Sequence, residues 1–231
     1  MKLTSVKSIM VRLRRSFRPD GDRFLKEVSG VVHVGANTGQ ERGIYDRLSL
    51  DVIWIEPIPE VFANLQDNLR SFPRQRAIRC LVTDKDDEEN VLHVSNNDGL
   101  SSSILELKGH KDIWPDVTYA RTIRIISTTL TSLFAREGID ASKYQALIMD
   151  TQGTELLVLR GSIPLLKGFR YIKTEVPDFV AYAGCCLLSD MEAFMREHEY
   201  SEISRTKFAE RPQGGAYYDV VYKNLDYHQS C

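Results

Sequence analysis

Residues 31–40 read Val31-Val32-His33-Val34-Gly35-Ala36-Asn37-Thr38-Gly39-Gln40, and this stretch decides the fold. Val31 to Gly35 is a short apolar run closed by glycine, the pattern of a buried strand that ends in a tight turn. A helix is predicted beyond it, from about Gln40 to Leu48. Asp51 to Ile55 gives a second strand, stopped by Glu56-Pro57 because proline cannot donate to a central ladder. Pro59 suits the first turn of the next helix, whose Val61, Phe62, Leu65 and Leu69 share one face. Ala77 to Val82 makes a third strand. The alternation predicts an α/β chain, with a mostly parallel sheet and helices on both its faces.

The pattern loosens in the middle of the chain. Thr83 to Asn90 reads as a polar turn, and Val91 to Ser95 and Thr122 to Ser127 read as strands around a polar stretch. Regular alternation then resumes: helix over Leu130 to Arg136, strand over Tyr144 to Met149, helix over Thr154 to Leu166, strand over Phe169 to Val176. Met191 to His198 is a further helix with Ser189 or Asp190 as its cap. Tyr200 to Thr206 and Tyr217 to Tyr222 flank Pro212-Gln213-Gly214-Gly215 and predict a terminal antiparallel hairpin.

At 231 residues with 42% apolar and 27% charged content, the chain fits one elaborated domain. Its net charge of −2 gives no overall bias toward nucleic acid. The first eighteen residues differ: Lys2, Lys7, Arg12, Arg14, Arg15 and Arg18 face no acid there, while Leu3, Val6, Met10, Leu13 and Phe17 form one apolar stripe. Residues 1–24 are therefore read as a basic amphipathic helix, packed on the domain or touching a membrane surface weakly, and residues 25–231 as the domain. Cys80, Cys185, Cys186 and Cys231 lack metal-ligand or disulfide spacing. With no secretory signal and no spanning apolar run, a cytoplasmic protein is expected.

Ligands of open α/β sheets bind beyond the carboxyl ends of the strands. Three features fall there. The turn Gly35-Ala36-Asn37-Thr38-Gly39 offers close backbone approach and free N–H groups ahead of a helix. Glu56, beyond the second strand, is placed to accept both hydroxyls of a ribose. A dinucleotide fingerprint, Gly-x-Gly-x-x-Gly, is broken by Asn37 at its second glycine. S-adenosylmethionine (SAM), which has no phosphate, fits better. Its methionine end would meet the turn and its adenine would lie near Thr83 and Asp84. The third feature is Met149-Asp150-Thr151-Gln152-Gly153-Thr154-Glu155: Asp150 enters the same cleft, as base, hydroxyl holder or ligand of a divalent ion, with Glu155 and Glu175 behind it.

Three stretches resemble the FkbM family of SAM-dependent methyltransferases. They are the Val34-to-Gly39 turn, Glu56-Pro57 with Phe62-x-x-Leu65-x-x-Asn68, and Ile148 to Glu155 with Val158-Leu159-Arg160-Gly161. Ser101-Ser102-Ser103 and Thr129-Leu130 also look like that family. The resemblance runs from about Val31 to Glu175. It implies a Rossmann-like class I methyltransferase fold with a seven-stranded sheet, and O-methylation of a sugar, glycolipid or polyketide hydroxyl. In the family an aspartate often stands where this chain has His33, and Thr131 replaces a second one. The expected SAM-binding set is His33, Gly35, Ala36, Asn37, Gly39, Glu56, Pro57, Thr83, Asp84 and Asp150; the expected catalytic set is Asp150, Glu155 and Glu175. Ser101, Ser102, Ser103, His110 and Trp114 are expected to hold the acceptor by hydrogen bonding and stacking. An NAD-dependent oxidoreductase and a SAM-binding protein without catalysis are the alternatives. Acceptor, metal dependence and oligomeric state are not set by the sequence.

Overall fold

A computed structural model describes residues 21–227, so the basic stripe read over residues 1–18 lies outside the described residues. The main sheet has seven strands: β1 (Gly30–Val34), β2 (Asp51–Ile55), β3 (Gln75–Ile78), β7 (Ala146–Met149), β8 (Tyr171–Pro177), β9 (Tyr200–Glu210) and β10 (Ala216–Asn224). Their spatial order is β3-β2-β1-β7-β8-β10-β9. The first five run parallel, and β10 returns antiparallel against β8 and β9. This is the expected doubly wound sheet with its terminal hairpin.

Side chains alternate across the strands because successive residues of a strand face opposite ways. Val32, Val34, Ile53, Ile55, Leu147 and Met149 join one core with helices α4 (Leu130–Glu137), α5 (Glu155–Arg160) and α6 (Leu188–Glu197). Val31, Val52, Trp54, Ala146 and Ile148 join the other with α1 (Arg42–Arg47) and α2 (Pro59–Leu69). Phe24 and Leu25 are buried in that second core, and Asp22 accepts from Lys173 Nζ at 2.6 Å, both groups almost fully buried. The remaining helix, α3, is the single turn His110–Ile113.

Two sequence expectations need correction. The third strand was expected to run through Val82, but β3 ends at Ile78 and Leu81–Val82 forms a separate β4. The main sheet runs out there: Glu56 N–H takes the Ile78 carbonyl, and Pro57 has no N–H to continue the pairing. β4 instead pairs with β6 (Tyr119–Thr128), which pairs antiparallel with β5 (Glu89–Ser95). The helix expected over Thr154 to Leu166 stops at Arg160, and Ile163–Gly168 is a 3-10 turn containing Pro164, which cannot donate back to a preceding helical turn. The β4-β6-β5 sheet packs Leu92 and Val94 on Ile58 and Val61, near the start of α2. That contact puts a roof over the carboxyl ends of β1 and β2.

Candidate active site

Beneath that roof is a cavity of about 650 Å³, walled by Val34, Gly35, Ile55, Glu56 and Asp150 at the ends of β1, β2 and β7. Its position is the topological switch point, where β2 and β7 flank β1 on opposite sides. The size is that of a small-molecule site, about 300–1,000 Å³.

Gly35 has φ +80°, and a Cβ there would lie 2.0 Å from the Asp150 carbonyl oxygen. Glycine is therefore required by the approach of β1 to β7 rather than by a ligand. The turn's donors are also engaged. Gly35 and Ala36 N–H both reach the Ile55 carbonyl at 3.0 Å, Gly39 N–H reaches Ala36, and Asn37 N–H reaches Glu56 Oε2 at 2.9 Å. The expected cradle of free N–H groups is thus not formed by these four residues. Their bonds build the turn itself. Gly39 lies outside the cavity wall with its α-carbon against Leu65 of α2.

Glu56 is buried with both oxygens directed by backbone donors, Asn37 N–H and Ile58 N–H, each at 2.9 Å. Burial pushes its carboxyl up to about 7, against the pull of those two bonds, and Asp150 adds to the rise. A carboxylate has about four acceptor positions, so two remain for a ligand. His33 is in the same wall, stacked on Trp54 and bonded through Nδ1 to the Tyr45 hydroxyl at 3.1 Å. Burial, helped by Lys173, lowers it to about 3, so it is a neutral imidazole at physiological pH. Pro57 also lines the cavity. Thr83 and Asp84 do not; their place beside the cavity is taken by Cys80, Leu81 and Val82. The split of the third strand at Ile78 moved the register of this wall.

The loop after β7 is tightly held. Glu155 is buried and its carboxylate accepts from Thr151 N–H at 2.9 Å and Gly153 N–H at 3.1 Å. Burial raises its carboxyl to about 7. It closes the loop on itself and is absent from the cavity wall, so a direct catalytic role is not supported by its position. Glu175 is the register partner of Asp219 on β10 and is likewise absent from that wall. Among the described residues, no group of three or more His, Cys, Asp or Glu side chains is arranged to hold a metal ion.

The expected acceptor residues separate. Ser102 and Ser103 line the cavity, whereas Ser101, His110 and Trp114 do not. His110 is buried between the Tyr217 hydroxyl (2.7 Å from Nδ1) and Ser101 Oγ (3.1 Å from Nε2). Trp114 packs on His110 and Tyr217. This aromatic cluster fills a small core of its own, with Phe179, Tyr182 and Cys185. Ser103 Oγ donates to the Gln152 carbonyl at 2.8 Å, so it braces the Asp150 loop.

Sequence reasoning missed the Gln152 side chain, whose Nε2–H donates to Asp150 Oδ1, and Arg121, which closes on Glu60 at 2.6 Å in the cavity wall. Gln152 stood inside a quoted motif and could have been found. Arg121 lies on a strand far from any motif and carried no local signal.

The chain matches the Methyltransferase FkbM domain over residues 33–202. No curated protein sequence matches it. Among solved structures, the METTL16 MTase domain is similar with a TM-score of 0.54 at 10% identity, over 94% of this chain and 69% of that one. Magnesium protoporphyrin IX methyltransferase (ChlM) from Synechocystis PCC 6803, solved with bound SAM, gives 0.51 at 10% identity over 97% and 85%. An uncharacterized protein from Listeria monocytogenes serotype 4b gives 0.50 at 8% over 91% and 69%. At these identities the structures speak for the fold alone. The domain match covers most of the chain and includes the turn, Glu56 and the Asp150 loop, and the chain belongs to the FkbM family of SAM-dependent methyltransferases.

Proposed function

We propose that this protein transfers a methyl group to a hydroxyl oxygen of a small molecule or glycan, and that Glu56 and Asp150 divide the work. The observation that carries this reading is their shared cavity, whose wall holds both Asp150 and Glu56, the latter fixed by two backbone donors. Bound SAM supplies a methyl carbon already activated for displacement. Glu56 offers its two remaining acceptor positions to a ribose diol. Asp150 would hold the acceptor hydroxyl in line and take its proton as the oxygen–carbon bond forms and the sulfur–carbon bond breaks, S-adenosylhomocysteine being the leaving group. Acceleration comes chiefly from positioning, so a strong base is not required.

The charge of the wall favours this donor over a dinucleotide. Glu41, Glu56, Glu60, Asp98 and Asp150 face the cavity against Arg121, which is itself paired with Glu60. Such a surface attracts a sulfonium cation and repels a pyrophosphate.

The test is transfer of labelled methyl from SAM across a panel of sugars, glycolipids and hydroxylated polyketides, with the product bond identified by NMR. Asp150→Asn should retain SAM affinity and lose on the order of 100-fold or more in turnover. A methyl group found on nitrogen or carbon, or an Asp150→Asn protein with full turnover, would overturn the proposal.

A further inference from the structure

Asp150 is the end of a chain of buried polar contacts. Gln152 Nε2–H donates to Asp150 Oδ1, and Gln152 Oε1 accepts from the Tyr182 hydroxyl at 2.7 Å. Beyond it, the Tyr182 oxygen lies 3.3 Å from His110 Nδ1. Gln152 is buried at the cavity wall and Tyr182 is wholly buried.

The amide of Gln152 has only one workable orientation. Turned over, its oxygen would oppose the Asp150 carboxylate, acceptor against acceptor. The Tyr182 proton is committed to Gln152, so toward His110 the hydroxyl can only accept. The backbone around this amide is fixed as well. Ser103 Oγ holds the Gln152 carbonyl, and the Glu155 carboxylate holds the N–H groups on either side, at Thr151 and Gly153. Gly153, at φ +101°, clears the way for the tyrosine: a Cβ there would lie 3.3 Å from Tyr182 Cδ2 and 2.9 Å from Cys185 Cβ. Two side chains, Asp150 and Tyr182, thus hold the Gln152 amide, and Ser103 and Glu155 hold the backbone around it.

We infer that Gln152, anchored by the Tyr182 hydroxyl, is a positioning residue for Asp150: it occupies one carboxylate oxygen and so fixes the other toward the reacting hydroxyl. The inference rests on the proposed role of Asp150. Of the charged and titratable groups, Glu56 beyond β2 and Glu155 of α5 lie near that carboxylate, and His33 of β1, Glu41, Glu60 of α2, Asp98 and Arg121 of β6 share its cavity wall. Glu56 and Glu155 both sense its charge. A neutral donor holds one carboxylate oxygen without adding a positive charge, which a lysine in its place would do.

The experiment needs no acceptor. The carboxyl carbon of Asp150 is followed by 13C NMR across pH, its signal assigned by loss in Asp150→Asn. Gln152→Glu retains an acceptor for Tyr182 but sets a second carboxylate against Asp150. The Asp150 midpoint should rise by about one unit or more, a tenfold change in proton affinity. Tyr182→Phe removes a single oxygen and frees the amide to rotate, and a smaller rise of about 0.3–0.5 unit is expected. A role confined to stability would lower the melting temperature and leave the midpoint in place. An unmoved midpoint in folded Gln152→Glu overturns the inference; should that variant not fold, an unmoved midpoint in Tyr182→Phe does so. These results leave the proposed function standing. Full turnover by Asp150→Asn would remove that function and the inference with it.

Discussion

Removing the Glu56 carboxylate should separate cofactor recognition from everything else the site does. In the folded protein its two oxygens each accept one backbone N–H at 2.9 Å, leaving capacity for two ribose hydroxyls. A hydrogen bond to a charged group is worth about 1.5–3 kcal/mol, so losing one should weaken SAM binding by roughly 10-fold to 100-fold. Glu56→Ala also leaves Asn37 and Ile58 N–H without that acceptor, which costs fold stability. Glu56→Gln, which keeps one carbonyl oxygen, is therefore the companion variant, with melting temperature recorded for both. The wild-type protein carries an internal check. Because burial raises the Glu56 carboxyl to about 7, only about a tenth of it is ionised at pH 6, and affinity there should be about tenfold below its value well above pH 7. Titration calorimetry with SAM and S-adenosylhomocysteine at pH 6 and pH 8 measures this directly. Equal affinity at both pH values, together with unchanged affinity in folded Glu56→Ala, would refute the reasoning.

The same two buried acids set the pH response of the unliganded fold. Glu56 and Glu155 are raised to about 7 from an ordinary 4.5, so the folded chain holds more protons than the unfolded one between those values; stability should fall as pH rises through that window, on the order of 3 kcal/mol per group. His33, lowered to about 3, opposes this and loses stability as pH falls below 6.5. Thermal melts at pH 5 and pH 7.5 should show a smaller difference in Glu155→Gln than in wild type, and an identical difference would contradict the assignment. Trp114→Ala, in the aromatic cluster behind the cavity, should cost about 3 kcal/mol of stability and leave SAM affinity unchanged within twofold; a selective loss of acceptor use in a stable variant would restore the stacking role expected from sequence.

Most of the sheet was legible because its evidence is local and periodic. Val31 to Gly35, Asp51 to Ile55 and the 146–149 strand are apolar runs closed by turn residues, and their order carries the topology. What failed were boundaries set by distant partners. Nothing within Ala77 to Val82 says that β2 ends at Glu56-Pro57 and leaves Leu81 to seek Ser127, forty-six positions away. That Cys80 to Val82 line the cavity, and Thr83 and Asp84 do not, follows from that one break.

The chemistry was legible in kind but not in direction. A carboxylate or hydroxyl at a strand end can face a ligand or satisfy nearby backbone, and both uses need the same residue types. Here the two uses lie side by side. Glu56 accepts two backbone N–H groups while lining the cavity, Asp150 also lines the cavity, and Glu155 turns inward to close the loop that carries Asp150. Ser103, read as an acceptor contact, lines the cavity yet spends its hydroxyl on Gln152, and Ser101 and His110 bond each other out of reach of the wall. Sequence distance hides this division: His110 meets Tyr217 across 107 positions, and Ser103 meets Gln152 across 49. Of the polar side chains between Ser95 and Trp114, Ser103 and, through Tyr182, His110 join the contacts behind Asp150, while Ser95, Asn97, Ser101 and Ser102 bond one another. Asn64 of α2 and Arg121 of β6, the latter paired with Glu60, also line the wall, and substituting them is expected to change acceptor use, read as the acceptor KM.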